Sequence, residues 1–151
     1  MVRKASRNDL PQIASLIGDY VGQRQLLPWT KKELKQKMSH FWVINDQKTV
    51  LACAALIPYH QHLAEIRSLA VKKDQQKKGL GKKLIKEILK ESQKLKIKKV
   101  FVFTYATLFF EKLGFRKVEK ESLPEKYHRD CHACSHYLEC NETALVYVNI
   151  N

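Results

Sequence analysis

An α/β domain with a mixed central sheet and helices on both faces is the fold class that this 151-residue sequence predicts. Three observations point to it. The strand pattern of residues 66–71 runs into the loop Gln76-Lys77-Lys78-Gly79-Leu80-Gly81, then an amphipathic helix pattern, then the apolar run 100–104. That is a βαβ unit, with parallel strands and a right-handed crossover. The β-rich runs 41–44, 50–59 and 63–71 follow one another closely enough to read as antiparallel neighbours, and helical spacing precedes them.

Taken in order, residues 2–5 form an opening strand. Asn8 and Asp9 are candidate N-caps, and Pro11 suits a first helical turn. Leu10, Ile13, Leu16, Ile17, Tyr20 and Val21 then recur on one helical face. Residues 23–29 read as a loop, and Thr30 with Glu33 makes a capping box for a second helix carrying Leu34 and Met38. Asn45-Asp46-Gln47-Lys48 splits a hairpin between 41–44 and 50–59, and 63–71 adds the next strand. Leu80, Leu84, Ile85, Ile88, Leu89 and Leu95 stripe the third helix. Residues 107–113 form a short helix closed by Gly114 as a left-handed C-cap, and 115–120 begin another strand. Residues 121–141 have no clear period and hold three of the four cysteines; 142–150 read as a final strand through Ala144, Val146 and Val148.

One domain of this length buries a sizeable core without staples. The apolar stretch 50–57 falls far short of the roughly 18 residues a bilayer requires, so a cytoplasmic protein with no membrane partner is expected. In that compartment cysteines stay reduced, and Cys53, inside an apolar strand, reads as core. The net charge of +13 is concentrated: residues 72–99 hold twelve lysines against Asp74, Glu87 and Glu91. Such a surface favours acidic ligands, or is simply a solvated lysine-rich face. Nucleic acid is disfavoured, because the segment has neither interleaved aromatics nor arginines.

The loop 76–81 is a phosphate cradle in context. Its glycines permit close backbone approach, and the helix that follows aims unpaired amides and its positive dipole end at the same place. Lys77, Lys78, Lys82 and Lys83 flank it.

Leu69-Ala70-Val71, the cradle, and Phe109-Phe110-Glu111-Lys112-Leu113-Gly114-Phe115 after the next strand together resemble the GNAT acetyltransferases, over essentially the whole chain. The resemblance implies one GNAT domain over residues 1–151 and acetyl-CoA as co-substrate. Its pantetheine arm would lie along Leu69, Ala70 and Val71, its pyrophosphate on Gln76, Lys77, Lys78, Gly79, Leu80, Gly81 and Lys82, with Phe110 beside them. A narrower similarity, in 64–71, Thr104-Tyr105, Leu123-Pro124 and Asp130-Cys131 with Cys134, Cys140 and Glu142, is to short stand-alone bacterial N-acetylglutamate synthases. It implies acetyl transfer to the α-amino group of L-glutamate, in arginine biosynthesis. Trp29 and Arg67 are the matching substrate-binding positions, although the synthases often carry arginine where this chain has Trp29. Other small amines, a protein N-terminus or lysine, and a basic nucleic-acid- or zinc-binding module are the alternatives; a homo-oligomer stays open.

Acetyl transfer needs a neutral amine, and an α-amino group with a reference pKa near 8 is mostly protonated at neutral pH, so a base is useful. Glu65 matches the family's base position, or is a surface strand glutamate. A backbone N–H of residues 69–71 would stabilise the carbonyl oxygen. Many family members protonate the departing sulfur with a tyrosine where this chain has Phe110; Tyr105 is the nearest substitute, or a strand-end packing residue. Cys131, Cys134 and Cys140, interspersed with His128, His132 and His136, lack a second cysteine pair, so no metal is expected and a packed thiol-rich loop is preferred.

Overall fold

The computed structural model describes residues 2–22, 30–119 and 142–149. Among these residues seven strands form one mixed sheet in the order β1-β2-β3-β4-β5-β7-β6: β1 (Val2–Lys4), β2 (Phe41–Asp46), β3 (Thr49–His60), β4 (Leu63–Val71), β5 (Lys99–Thr104), β6 (Arg116–Val118) and β7 (Thr143–Val148). The predicted β4–β5 pair is parallel, and the other neighbours are antiparallel. The helices are α1 (Leu10–Gly22), α2 (Lys31–Gln36), α3 (Leu80–Lys94) and α4 (Thr107–Lys112).

They cover both faces. Leu84, Ile85, Ile88 and Leu89 of α3 join Phe110, Phe115 and the β-strand residues Ala54, Leu56, Ala64 and Ile66 in one core. Ile13, Leu16 and Ile17 of α1 and Leu34 of α2 join Val43, Cys53, Ala55 and Ile57 in the other. The capping box of α2 forms as expected: Glu33 N–H donates to Thr30 Oγ1 at 3.0 Å, and Thr30 N–H donates to Glu33 Oε1 at 2.9 Å. Among the described residues no helix is long and apolar enough to cross a membrane.

Three local expectations are corrected. Asn8 and Asp9 do not cap α1 directly, because a 3₁₀ turn, Arg7–Asp9, starts at Ser6 and leads into it. The Asp9 carboxylate instead accepts from Ser6 N–H at 2.8 Å and pairs with Arg3. The β2–β3 turn shrinks to Gln47 and Lys48, with Gln47 at φ 49°. The strand expected to begin at Phe115 begins one residue later, as β6, with Phe115 buried in the core at 4% exposure and Lys120 outside the described residues.

Two irregularities shape the functional cleft. The β4–β5 ladder ends at Glu65–Phe101, and beyond it β5 pairs with β7 alone. The β3–β4 register also slips: Ala55 faces Arg67 while Cys53 faces Ala70, so Ser68 and Leu69 share the space opposite Ala54. Ser68 takes φ 60° to make this bulge, a conformation that costs a residue with a Cβ roughly 1–2 kcal/mol. The bulge also flips the alternation. Ala64 and Ile66 pack on the α3 side and so do Leu69 and Val71, whereas Ala70 packs on the α1 side.

Candidate active site

Where β4 and β5 part, a cavity of about 310 Å³ opens, lined by Glu65, Arg67, Tyr105, Phe110, Tyr20 and Glu142 among others. Glu65 and Arg67 stand opposite Ile57 and Ala55, both in the α1-side core, so these two side chains share that face. Glu65 is 1% exposed, and its Oε1 accepts from the Tyr59 hydroxyl at 2.9 Å. Tyr105 follows directly after β5 on the opposite wall and is half exposed.

A second cavity of about 650 Å³ adjoins the first. Leu69, Val71, Gln76, Gly79, Gly81 and Lys82 line it, with Phe109. The two cavities share Tyr20, Leu69 and Ala106 at their junction. In the loop, Lys77 at φ 65° and Gly79 at φ 80° are left-handed, and Gly79 caps α3. The first hydrogen bond closing the helix is Lys83 N–H to Gly79 O at 3.0 Å, so the amides of Leu80, Gly81 and Lys82 have no partner within α3 and can meet an anion. A Cβ on Gly81 would stand 3.3 Å from Phe109 Cζ, so the ring would have to give by a few tenths of an ångström. These features fit a ligand with a phosphate-bearing end and an extended arm reaching the first cavity.

Not every predicted position lies here. Ala70 and Lys78 line neither cavity: Ala70 is core, and Lys78 Nζ donates to Gln75 Oε1 at 3.3 Å. Phe110 is 2% exposed, stacks edge-on with Phe109 and Phe115, and lines the smaller cavity; Phe109 lines the larger one. Trp29 and the segment with Cys131, Cys134 and Cys140 lie outside the described residues; among those described, no group of three His, Cys, Asp or Glu residues is arranged to hold a metal. Cys53 is wholly buried as expected. Burial pushes its thiol up to about 12, so it is no nucleophile at neutral pH, and its Sγ–H donates to Ser68 O at 3.6 Å beneath the bulge.

Sequence reasoning missed Tyr20, Tyr59 and Ser68. The available signals were a hydroxyl at the end of an apolar helix stripe and another at a strand end facing a glutamate; Ser68 gave none.

Residues 37–117 match the model of the acetyltransferase (GNAT) domain. The chain is 32% identical over 145 residues to an uncharacterized N-acetyltransferase of Chlorobaculum tepidum, covering 96% of this chain and 94% of that protein. It is 30% identical to the amino-acid acetyltransferase of Edwardsiella ictaluri over 83% of this chain and 29% of that protein. A Mycobacterium tuberculosis structure in complex with CoA superposes with a TM-score of 0.85 at 26% identity, covering 99% of each chain. The N-acetylglutamate synthase of Neisseria gonorrhoeae, complexed with coenzyme A and N-acetyl-glutamate, gives 0.89 at 27% identity, covering all of this chain and 35% of that one. This chain thus spans about a third of the length of the synthase and of the amino-acid acetyltransferase. The chain belongs to the GNAT family of acetyltransferases. It is an acetyl-CoA-dependent N-acetyltransferase.

Proposed function

We propose that the protein acetylates the α-amino group of L-glutamate, with arginine biosynthesis as the setting and the cytoplasm as the compartment. The observation that carries this reading is the juxtaposition of Glu65 and Arg67 in one small cavity that opens onto the donor cavity. A volume of about 310 Å³ is at the lower end of the roughly 300–1,000 Å³ typical of ligand pockets, which suits a single small metabolite. The amino-acid acetyltransferase and the N-acetylglutamate synthase among the relatives support the acceptor.

Bound acetyl-CoA supplies the thioester whose carbonyl carbon accepts the amine and whose thiolate leaves. Leu69 and Val71 of β4 and the loop residues Gln76, Lys77, Gly79, Leu80, Gly81 and Lys82, which line the larger cavity, hold it, with Phe110 closing the wall nearest the acyl group. Glu65 takes the proton the amine must shed, directly or through water, and the Tyr59 hydroxyl fixes which way its carboxylate faces. A backbone N–H freed where β4 leaves β5 donates to the carbonyl oxygen as charge gathers there. Tyr105, across the cleft, returns a proton to the sulfur, and Arg67 binds the acceptor's carboxylate. Trp29 stands at the sequence position that the resemblance to the synthases links to acceptor binding.

An amino-acid and polyamine panel scored by CoA release tests the reading. Turnover highest with glutamate supports it; turnover confined to another amine replaces the acceptor.

A further inference from the structure

The end of β4 is held by a side chain that the chemistry above does not use. Ala70 pairs with Cys53, and Lys72 N–H donates to Leu51 O at 2.8 Å. Residues of an antiparallel ladder alternate in direction, so Val71 N–H and C=O, between these two, face away from β3 and into the cleft. β5 does not take them, since its pairing with β4 ends at Glu65. Tyr20 of α1 does. Its hydroxyl donates to Val71 O at 2.7 Å and accepts from Val71 N–H at 3.4 Å and from Gln76 Nε2 at 2.7 Å. One phenol oxygen thereby ties α1, the strand end and the first residue of the phosphate loop, at the junction of the two cavities.

A pantetheine arm is an extended chain with two amides. Such a chain satisfies a bare strand edge by the same N–H···O pairs that an added strand makes. Val71 N–H and C=O are the edge groups it meets between the acyl end and the phosphate loop. We propose that Tyr20 is a place-holder for the donor: its hydroxyl occupies the edge of β4 that the pantetheine arm pairs with, and leaves when the arm arrives. This rests on the donor placement proposed above. In the free enzyme the contact keeps the strand edge satisfied; on binding it must break, so the hydroxyl lowers donor affinity. A fixed clamp, retained in the complex, would act with the opposite sign.

Tyr20→Phe keeps the ring against the α1-side core and removes only the hydroxyl. The variant and wild type are titrated calorimetrically with CoA and with 3′-phosphoadenosine 5′-diphosphate, which carries the nucleotide phosphates but no arm. CoA should bind roughly two- to tenfold more tightly to the variant, the worth of one net hydrogen bond, while the armless nucleotide is unaffected. Unchanged or weaker CoA binding, or an equal shift for both ligands, overturns the proposal. Gly79→Val serves as the control for the donor placement and should weaken both ligands; if it weakens neither, that placement fails and the proposal with it.

Discussion

The hydroxyl of Tyr59 lies 2.9 Å from Oε1 of Glu65, and Tyr59 stands where the β3–β4 register slips between Pro58 and His60. There a donor meets a carboxylate that is 1% exposed and borders the smaller cavity. A strand glutamate that merely decorated the surface would be solvated instead.

Glu65→Gln should therefore lower turnover by about 10²- to 10⁴-fold while leaving CoA affinity nearly intact. Activity should recover as the pH rises toward the pKa of the amine itself, where a growing share of the amine has lost its proton unaided. Steady-state kinetics across a pH series from neutral into the alkaline range are the check, and an unchanged rate throughout returns Glu65 to a structural role.

Gly79→Val and Gly81→Val should each weaken CoA binding, for different reasons. At φ 80° Gly79 sits where a β-branched residue is strained, whereas Gly81 would drive a Cβ to 3.3 Å from Phe109 Cζ. Calorimetry on folded variants decides it; wild-type affinity in both removes the loop from the donor site.

Acid should loosen the junction between β1 and the turn before α1. Hydrogen bonds from Arg3, at 2.8 and 2.9 Å, hold the Asp9 carboxyl below the usual carboxylate range, with burial opposing them. A depressed folded value means the stabilisation is complete above the unfolded pKa of about 4 and is lost as pH falls through the lower folded one. Asp9→Asn should cost roughly 1 to 2 kcal/mol at neutral pH, and flatten the acid limb of stability against pH in denaturant titrations; the upper part of the charged-hydrogen-bond range is trimmed because Arg3 is 40% exposed.

Arg67→Ala should raise the Michaelis constant for glutamate roughly ten- to a hundredfold, through loss of a charge-assisted contact worth about 1.5 to 3 kcal/mol, and leave CoA affinity unchanged. Trp29→Arg should improve glutamate saturation. Initial-rate measurements with each substrate varied in turn separate the two effects; equal losses for donor and acceptor would contradict the assignment.

Much of the fold was legible because it is local. The helical stripes of α1 and α3, the Thr30–Glu33 capping box, the left-handed Gly114 at φ 101° and the strand–loop–helix–strand order all follow from spacings within a few residues. Less legible was anything set by a distant partner. Nothing in the sequence of β7 says that it enters between β5 and β6. Ser68 adopts a left-handed conformation without the glycine that usually announces one, since Ala54 faces two residues of β4. Tyr20 reads as a helix-face residue until its hydroxyl meets Val71, 51 positions away. The glycine loop of residues 76–81 showed itself as a motif, whereas the smaller cavity lies where β4 and β5 part, which no local spacing announces.

The most direct test of the account is CoA release with L-glutamate at tens of millimolar, well above the usual upper Michaelis constant of about 1 mM. Release should be saturable and matched mole for mole by N-acetylglutamate, with kcat/KM higher than for any other amino acid or polyamine. No release with glutamate, while another amine is acetylated, would contradict it.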